Sequence, residues 1–158
     1  MINVYLPASY HIDSTRKYNV IYLLDGSAEE DFIHISGLIQ FGSYPSINML
    51  PESIVVVGVS NVDRKHDFTF PSSIVEDKNE FPITGGSENF IFFIEMEFQP
   101  KVEAMYRTSS VKTIIGRSLG GLLATEILLK KPDLFDNYVI ISTIVYGGTM
   151  NRFWISQI

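Results

Sequence analysis

Five short stretches of this chain are apolar enough to be read as β-strands. Ile2 to Leu6 alternates before Pro7, and Tyr18 to Leu24 is a stronger run that stops at the turn dipeptide Asp25-Gly26. Ser53 to Val59 is almost continuously apolar, the pattern of a strand covered on both faces, and Val111 to Ile115 and Tyr138 to Ile141 repeat it. Helical patterns lie between them. Glu29 to Phe41 predicts a first helix. Ser87 is placed to cap a second, whose apolar positions Phe90, Phe93, Ile94, Phe98 and Val102 recur at three- and four-residue spacing, with a kink expected at Pro100. A third starts at Ser118, runs through Leu119, Leu122, Leu123 and Ile127, and has to stop near Lys131 because Pro132 follows. Strands alternating with helices predict an α/β fold with a mostly parallel central sheet. The stretch from Asn61 to Gly86 shows no periodicity and reads as one connection of about 25 residues, a length at which loops are often functional.

Composition narrows the picture. A chain of 158 residues buries roughly two-thirds of its unfolded surface, enough for one compact domain. With 46% hydrophobic residues, 11 Phe and 8 Tyr, an aromatic-rich core is expected. Net charge is −6 and Lys and Arg are scattered, so no basic stripe exists to neutralise a nucleic-acid backbone. No apolar run approaches the ~20 residues that span a bilayer, and the amino terminus shows no charged segment followed by an apolar one, so neither a membrane span nor a leader is expected in these residues and the compartment stays open. The absence of cysteine rules out disulfides, thiolate catalysis and Cys-based zinc sites, and no metal or cofactor motif takes their place.

The candidate chemistry lies at Gly116-Arg117-Ser118-Leu119-Gly120-Gly121. A serine hydroxyl is a weak nucleophile. An acyl-transfer enzyme must expose it, set a base against it and aim backbone N–H groups at the developing oxyanion. Gly-x-Ser-x-Gly meets the first need when it joins a strand to a helix, and the predicted strand and helix on either side supply that context. The alternative is a Gly-rich turn in which Ser118 only caps the helix. With Ser118 as nucleophile, Leu119 N–H becomes one oxyanion donor, and the loop Asp25-Gly26-Ser27 after the neighbouring strand is where a second would lie.

These residues together resemble a known family: the esterase D-like "putative esterase" branch of the α/β-hydrolases, which includes enterochelin esterases and is related to mycobacterial mycolyltransferases. Val4 to Tyr10, Val20 to Gly26, Asp63 to Thr69, Gly85 to Phe90, Tyr106 to Thr108, the serine turn and Pro132 to Phe135 follow in the family's order. The resemblance implies a three-layer α/β/α sandwich of α/β-hydrolase type and a serine esterase acting on a small-molecule ester, with no cofactor. It implies that the backbone N–H of Ser27 joins that of Leu119 as oxyanion donor, and it makes Arg64 a possible substrate contact.

The rest of a triad is not where the family keeps it. Acid and histidine should follow the nucleophile on later loops, yet residues 119–158 hold no histidine, and Glu126, Asp133 and Asp136 read as solvated surface charges. None of His11, His34 and His66 matches the family's base position. The ending also departs from the pattern after Ile140-Ile141-Ser142. The expectation is an incomplete hydrolase domain over 1–158, its carboxy-terminal strands missing, with Tyr138 to Ile141 an apolar edge that pairs or dimerises unless Val145 to Ile158 folds back over it. Two other readings stay open: a non-catalytic fragment that keeps the turn only as a turn, and acyl transfer to an alcohol through the same serine.

Overall fold

In the computed structural model, which describes residues 2–57, 63–72, 75–80 and 82–143, the apolar runs assemble into one five-stranded sheet. The strands are β1 (Val4–Tyr5), β2 (Tyr18–Leu23), β3 (Ser53–Val57), β4 (Thr108–Arg117) and β5 (Asn137–Ile141), in the spatial order β1-β3-β2-β4-β5. Only β1, shorter than its sequence pattern, runs antiparallel to its neighbour; the other three pairings are parallel. Gly58 and Val59, the expected end of the third strand, and Val145 to Ile158 lie outside the described residues.

Strand β2 is central, and both its faces are buried. Tyr18, Val20 and Tyr22 point into the larger core; Ile21 and Leu23 face a smaller one. Double coverage removes the polar alternation that a half-exposed strand would show. The larger core is aromatic: Phe98 and Phe135 meet the Tyr22 ring edge-on at 5.8 and 5.5 Å, and Phe93 stacks on Phe98. Each such pair contributes about 0.5–1.5 kcal/mol beyond the area it buries.

On the smaller-core side lies helix α1 (Phe32–Gly42), directed inward through Phe32, Ile35 and Ile39. It starts three residues later than the sequence pattern suggests, because residues before it are drawn into other contacts. The Glu30 carboxylate accepts from Ser27 N–H, and the Asp31 carboxylate accepts from Arg117. The predicted connection from Asn61 to Gly86 is corrected by two short helices, α2 (Arg64–Asp67) and α3 (Val75–Glu80). Asp63 caps α2 by accepting from Lys65 and His66 N–H, and Phe68 buries its ring against Phe90. Helices this short leave no period in a sequence.

The predicted second helix forms as α4 (Ser87–Phe93), a π-helical turn at Ile94–Phe98, and α5 (Gln99–Met105). The wide turn comes directly before Pro100, which lacks the N–H an α-helix would require there. Ser87 does not cap this helix. Gly86 holds that position, tied by its N–H to the His66 carbonyl, and the Ser87 hydroxyl is buried with no hydrogen-bond partner among the described residues. Helix α6 (Leu119–Lys130) packs on the same face of the sheet, and it overturns one expectation about charge. Glu126 is only 4% exposed, because it shares the inward stripe of Leu119, Leu122, Leu123 and Ile127; one of its oxygens accepts from Lys130 and the other has no partner among the described residues.

Two glycines make a direct test of this packing. A Cβ on Gly116 would lie 2.2 Å from the Gly120 carbonyl oxygen, whereas one on Gly37, within α1, meets nothing within 4 Å. Gly116→Ala is expected to lower the unfolding free energy by about 2–3 kcal/mol, and Gly37→Ala to raise it by about 0.5–1 kcal/mol. Urea denaturation followed by circular dichroism checks both signs, and equal destabilisation would contradict the packing described.

Candidate active site

Strand β4 delivers Ser118 to the end of the sheet where β2 also ends. At Ser118 the backbone takes φ 58° and ψ −119°, and α6 begins at the next residue. For a non-glycine residue such a conformation costs about 1–3 kcal/mol and persists only where its surroundings fix it. Here they do. Ser118 N–H donates to the Ile141 carbonyl at 3.0 Å, and its own carbonyl accepts from Leu122 N–H at 3.0 Å. A Cβ at Gly120 would meet the Asp25 carboxylate at 3.1 Å and Leu24 at 3.2 Å, and one at Gly121 would come 3.2 Å from the Ile141 carbonyl. The three glycines are thus the places where strand, helix and neighbouring loop come too close for side chains.

Although Ser118 stands at the N-cap position of α6, its side chain makes no cap hydrogen bond. The hydroxyl is half-buried and unengaged by any described residue. Leu119 follows at the helix start, where the first N–H groups have no acceptor within the helix and carry the positive end of its dipole.

Ser27 lies on the loop leaving β2. This loop is held against the serine turn by Asp25, itself at φ 55°, whose carboxylate accepts two hydrogen bonds from Arg64, from Nε at 2.5 Å and from Nη2 at 2.6 Å. Arg64, marked in the sequence as a possible substrate contact, therefore spends its fork on Asp25 and also lies 5.7 Å over the Phe68 ring. Asp25 was visible in the sequence only as half of a turn dipeptide; its partner is 39 residues away. Ser27 N–H is engaged too, donating to Glu30 Oε2 at 3.1 Å. A second ion pair, Arg117 Nε to Asp31 at 3.0 Å, ties the residue before the serine to the start of α1.

No described histidine hydrogen-bonds to Ser118. His11 packs edge-on against Tyr10, His34 is exposed on α1, and His66 Nδ1 lies 3.0 Å from Asp67. Glu126 is eight residues along α6 from Ser118, about 12 Å at helical rise, too far to orient a base beside it. Asp133 and Asp136 are exposed, and Asp136 accepts from Lys112 N–H. Among the described residues there is no cluster of acidic or histidine side chains able to hold a metal ion, and no helix long and apolar enough to cross a membrane.

The chain is 36% identical to ferri-bacillibactin esterase BesA of Bacillus subtilis (strain 168) over 133 residues, 77% of this chain and 46% of that protein. Among solved structures, an IroE-like serine hydrolase from Shewanella oneidensis superposes with a TM-score of 0.85 at 30% identity, covering 99% of this chain and 49% of that one. The siderophore hydrolase EstA from Aspergillus nidulans gives a TM-score of 0.75 at 27% identity, covering 99% and 57%. The chain thus spans about half the length of such relatives, and it shares their α/β-hydrolase fold. A family model described as "Putative esterase" matches residues 1–157, and the chain belongs to that esterase family.

Proposed function

We propose that this chain is the nucleophile-bearing part of a serine esterase, in which the Ser118 hydroxyl attacks an ester carbonyl. The observation that carries the reading is the strained Ser118 backbone between β4 and α6, with a side chain that takes no part in capping the helix. A turn kept only for folding has no use for that strain, since a glycine would adopt the same angles at less cost.

In the proposed reaction Ser118 Oγ bonds to the carbonyl carbon, its proton passes to a base, and the alcohol leaves protonated. Water then cleaves the acyl-serine ester and releases the acid. Leu119 N–H and Ser27 N–H stabilise the oxyanion, which requires the Glu30 carboxylate to give up its bond to Ser27. Arg64 serves this scheme through Asp25 by fixing the Ser27 loop. The base has to come from outside the described residues. Esters of siderophores are the substrate class favoured by the relatives' names: ferri-bacillibactin esterase, siderophore hydrolase, and a siderophore triacetylfusarinine C esterase of Aspergillus fumigatus.

A fluorophosphonate probe tests the serine. Slow labelling that reaches one equivalent, and is lost in Ser118→Ala, is the expected outcome by mass spectrometry; an unlabelled wild-type chain after prolonged exposure would leave the non-catalytic reading ahead. The oxyanion assignment is tested separately with Glu30→Ala. Freeing Ser27 N–H from an exposed bond worth about 1 kcal/mol should speed labelling about fivefold, and an unchanged or slower rate removes Ser27 from the scheme.

A further inference from the structure

We propose that the outward face of α1, together with the segment that closes on its carboxy-terminal end, is the surface through which two copies of this chain associate.

A surface helix normally turns charged and polar side chains to water. Helix α1 does not. Phe32, Ile35 and Ile39 point into the smaller core, and Ile33, Gly37 and Phe41, at four-residue spacing on the opposite side, make an exposed and largely apolar outer stripe. The chain carries no Asp, Glu, Lys or Arg from Phe32 to Pro51. The acids that bound this stretch are both answered elsewhere, Asp31 by Arg117 and Glu52 by Arg16.

The segment after α1 extends the stripe. Met49 and Leu50 N–H both donate to the Gly42 carbonyl, at 2.9 and 3.0 Å, and Tyr44 N–H donates to that of Phe41 at 3.2 Å. Leu50 packs so closely that a Cβ on Gly42 would lie 2.7 Å from its Cδ1. Tyr44, Met49 and Leu50 are thereby gathered around the last turn of the helix on a backbone fixed by hydrogen bonds, so little order has to be gained on association. Exposure of these large side chains runs from 41% at Leu50 to 78% at Met49. Ile33, Phe41, Tyr44, Met49 and Leu50 together leave on the order of 650 Å² open, more than the ~300–600 Å² of the largest patch on a typical monomer. Gly37, Gln40 and Pro45, exposed beside them, bring the face to the ~800 Å² that each partner gives to a stable interface.

A second copy is the occupant this face fits. Each chain carries a net charge of −6, so copies repel one another except where no charge is presented, and the uncharged face is such a place. A lipid surface fits it less well, since the stretch has no Lys or Arg to meet headgroups. The stripe is also self-complementary. A Cβ on Gly37 would meet nothing within 4 Å, so the middle of the stripe is an open notch. A two-fold axis through that notch sets two α1 helices antiparallel with their glycines face to face, and Phe41, four residues or about 6 Å along the helix, then lies over the partner's Ile33.

Sedimentation equilibrium of the 158-residue chain across the micromolar range tests the contact. A reversible shift from 17.9 kDa to twice that mass is expected. Ile33→Lys and Phe41→Glu should each raise the dissociation constant about 100-fold, with melting curves unaltered at concentrations where the parent is monomeric. Gly37→Leu should weaken association as well, by holding the helices apart. An equimolar mixture of the Ile33→Lys and Phe41→Glu chains should recover the dimer, because the two-fold sets the new charges against each other; a mixture that stays monomeric overturns that pairing. A parent chain that is monomeric throughout, or that binds phosphatidylcholine vesicles instead, overturns the proposal. So does a dimer indifferent to all three substitutions, such as one through β5 that Val139→Lys breaks.

Discussion

The close crossing of β4 and α6 at Gly116 and Gly120 is the constraint on which the rest of the arrangement depends. Space for a single methyl group is missing there, with the Gly120 carbonyl 2.2 Å from where a Gly116 Cβ would be. Only because the two backbones come this close can the chain turn from strand to helix within one residue, and only that abrupt turn forces Ser118 to φ 58°. Strain at Ser118 is thus downstream of packing. Leu122, Leu123, Ala124 and Ile127, all fully buried on α6, hold the helix down on the sheet and keep the crossing closed.

Charge around this crossing is organised by pairs that act at a distance in sequence. Arg64 and Asp25 form a two-pronged contact that a lysine could not reproduce, since only a guanidinium offers two donors in one plane to both carboxylate oxygens. It joins the segment after β3 to the turn after β2. Arg117 and Asp31 do the same for β4 and α1, with a more exposed and weaker contact. Both arginines lie at the end of the sheet that carries Ser118, and both have their charge answered locally by a carboxylate.

Much of this was legible in the sequence, and the limits are physical. Strand β2 could be read because burial on two faces leaves an uninterrupted apolar run, and α6 because it lies between a glycine-rich turn and Pro132. The serine turn could be read because glycines are needed where backbones touch. Helices α2 and α3 could not, being less than two turns long, too short for a helical spacing to recur. Ser87 was misread as a cap because Gly86, pressed against the His66 ring, occupies that place. Glu126 was misread as a surface charge because a carboxylate on an inward stripe looks, in sequence, like one on an outward stripe; its pairing with Lys130 is what lets it stay there. The pairing of Arg64 with Asp25 spans 39 residues, a contact that no local pattern announces.

The hydrogen bond from Ser118 N–H to the Ile141 carbonyl links two parts of the chain that are made at different times. During synthesis β4 and the turn emerge first, but the acceptor that fixes the Ser118 backbone belongs to the last residue of β5. Until β5 has pairs with β4 in the correct register, the strained turn lacks one of its restraints and can relax. Because a one-residue slip of β5 would exchange its inward and outward side chains, the half-buried Tyr138 and Ile140, packed against the larger core, also set the register that aligns Ile141 with Arg117. The last described strand of the sheet therefore acts as a latch, and the serine is set in place only when that latch closes.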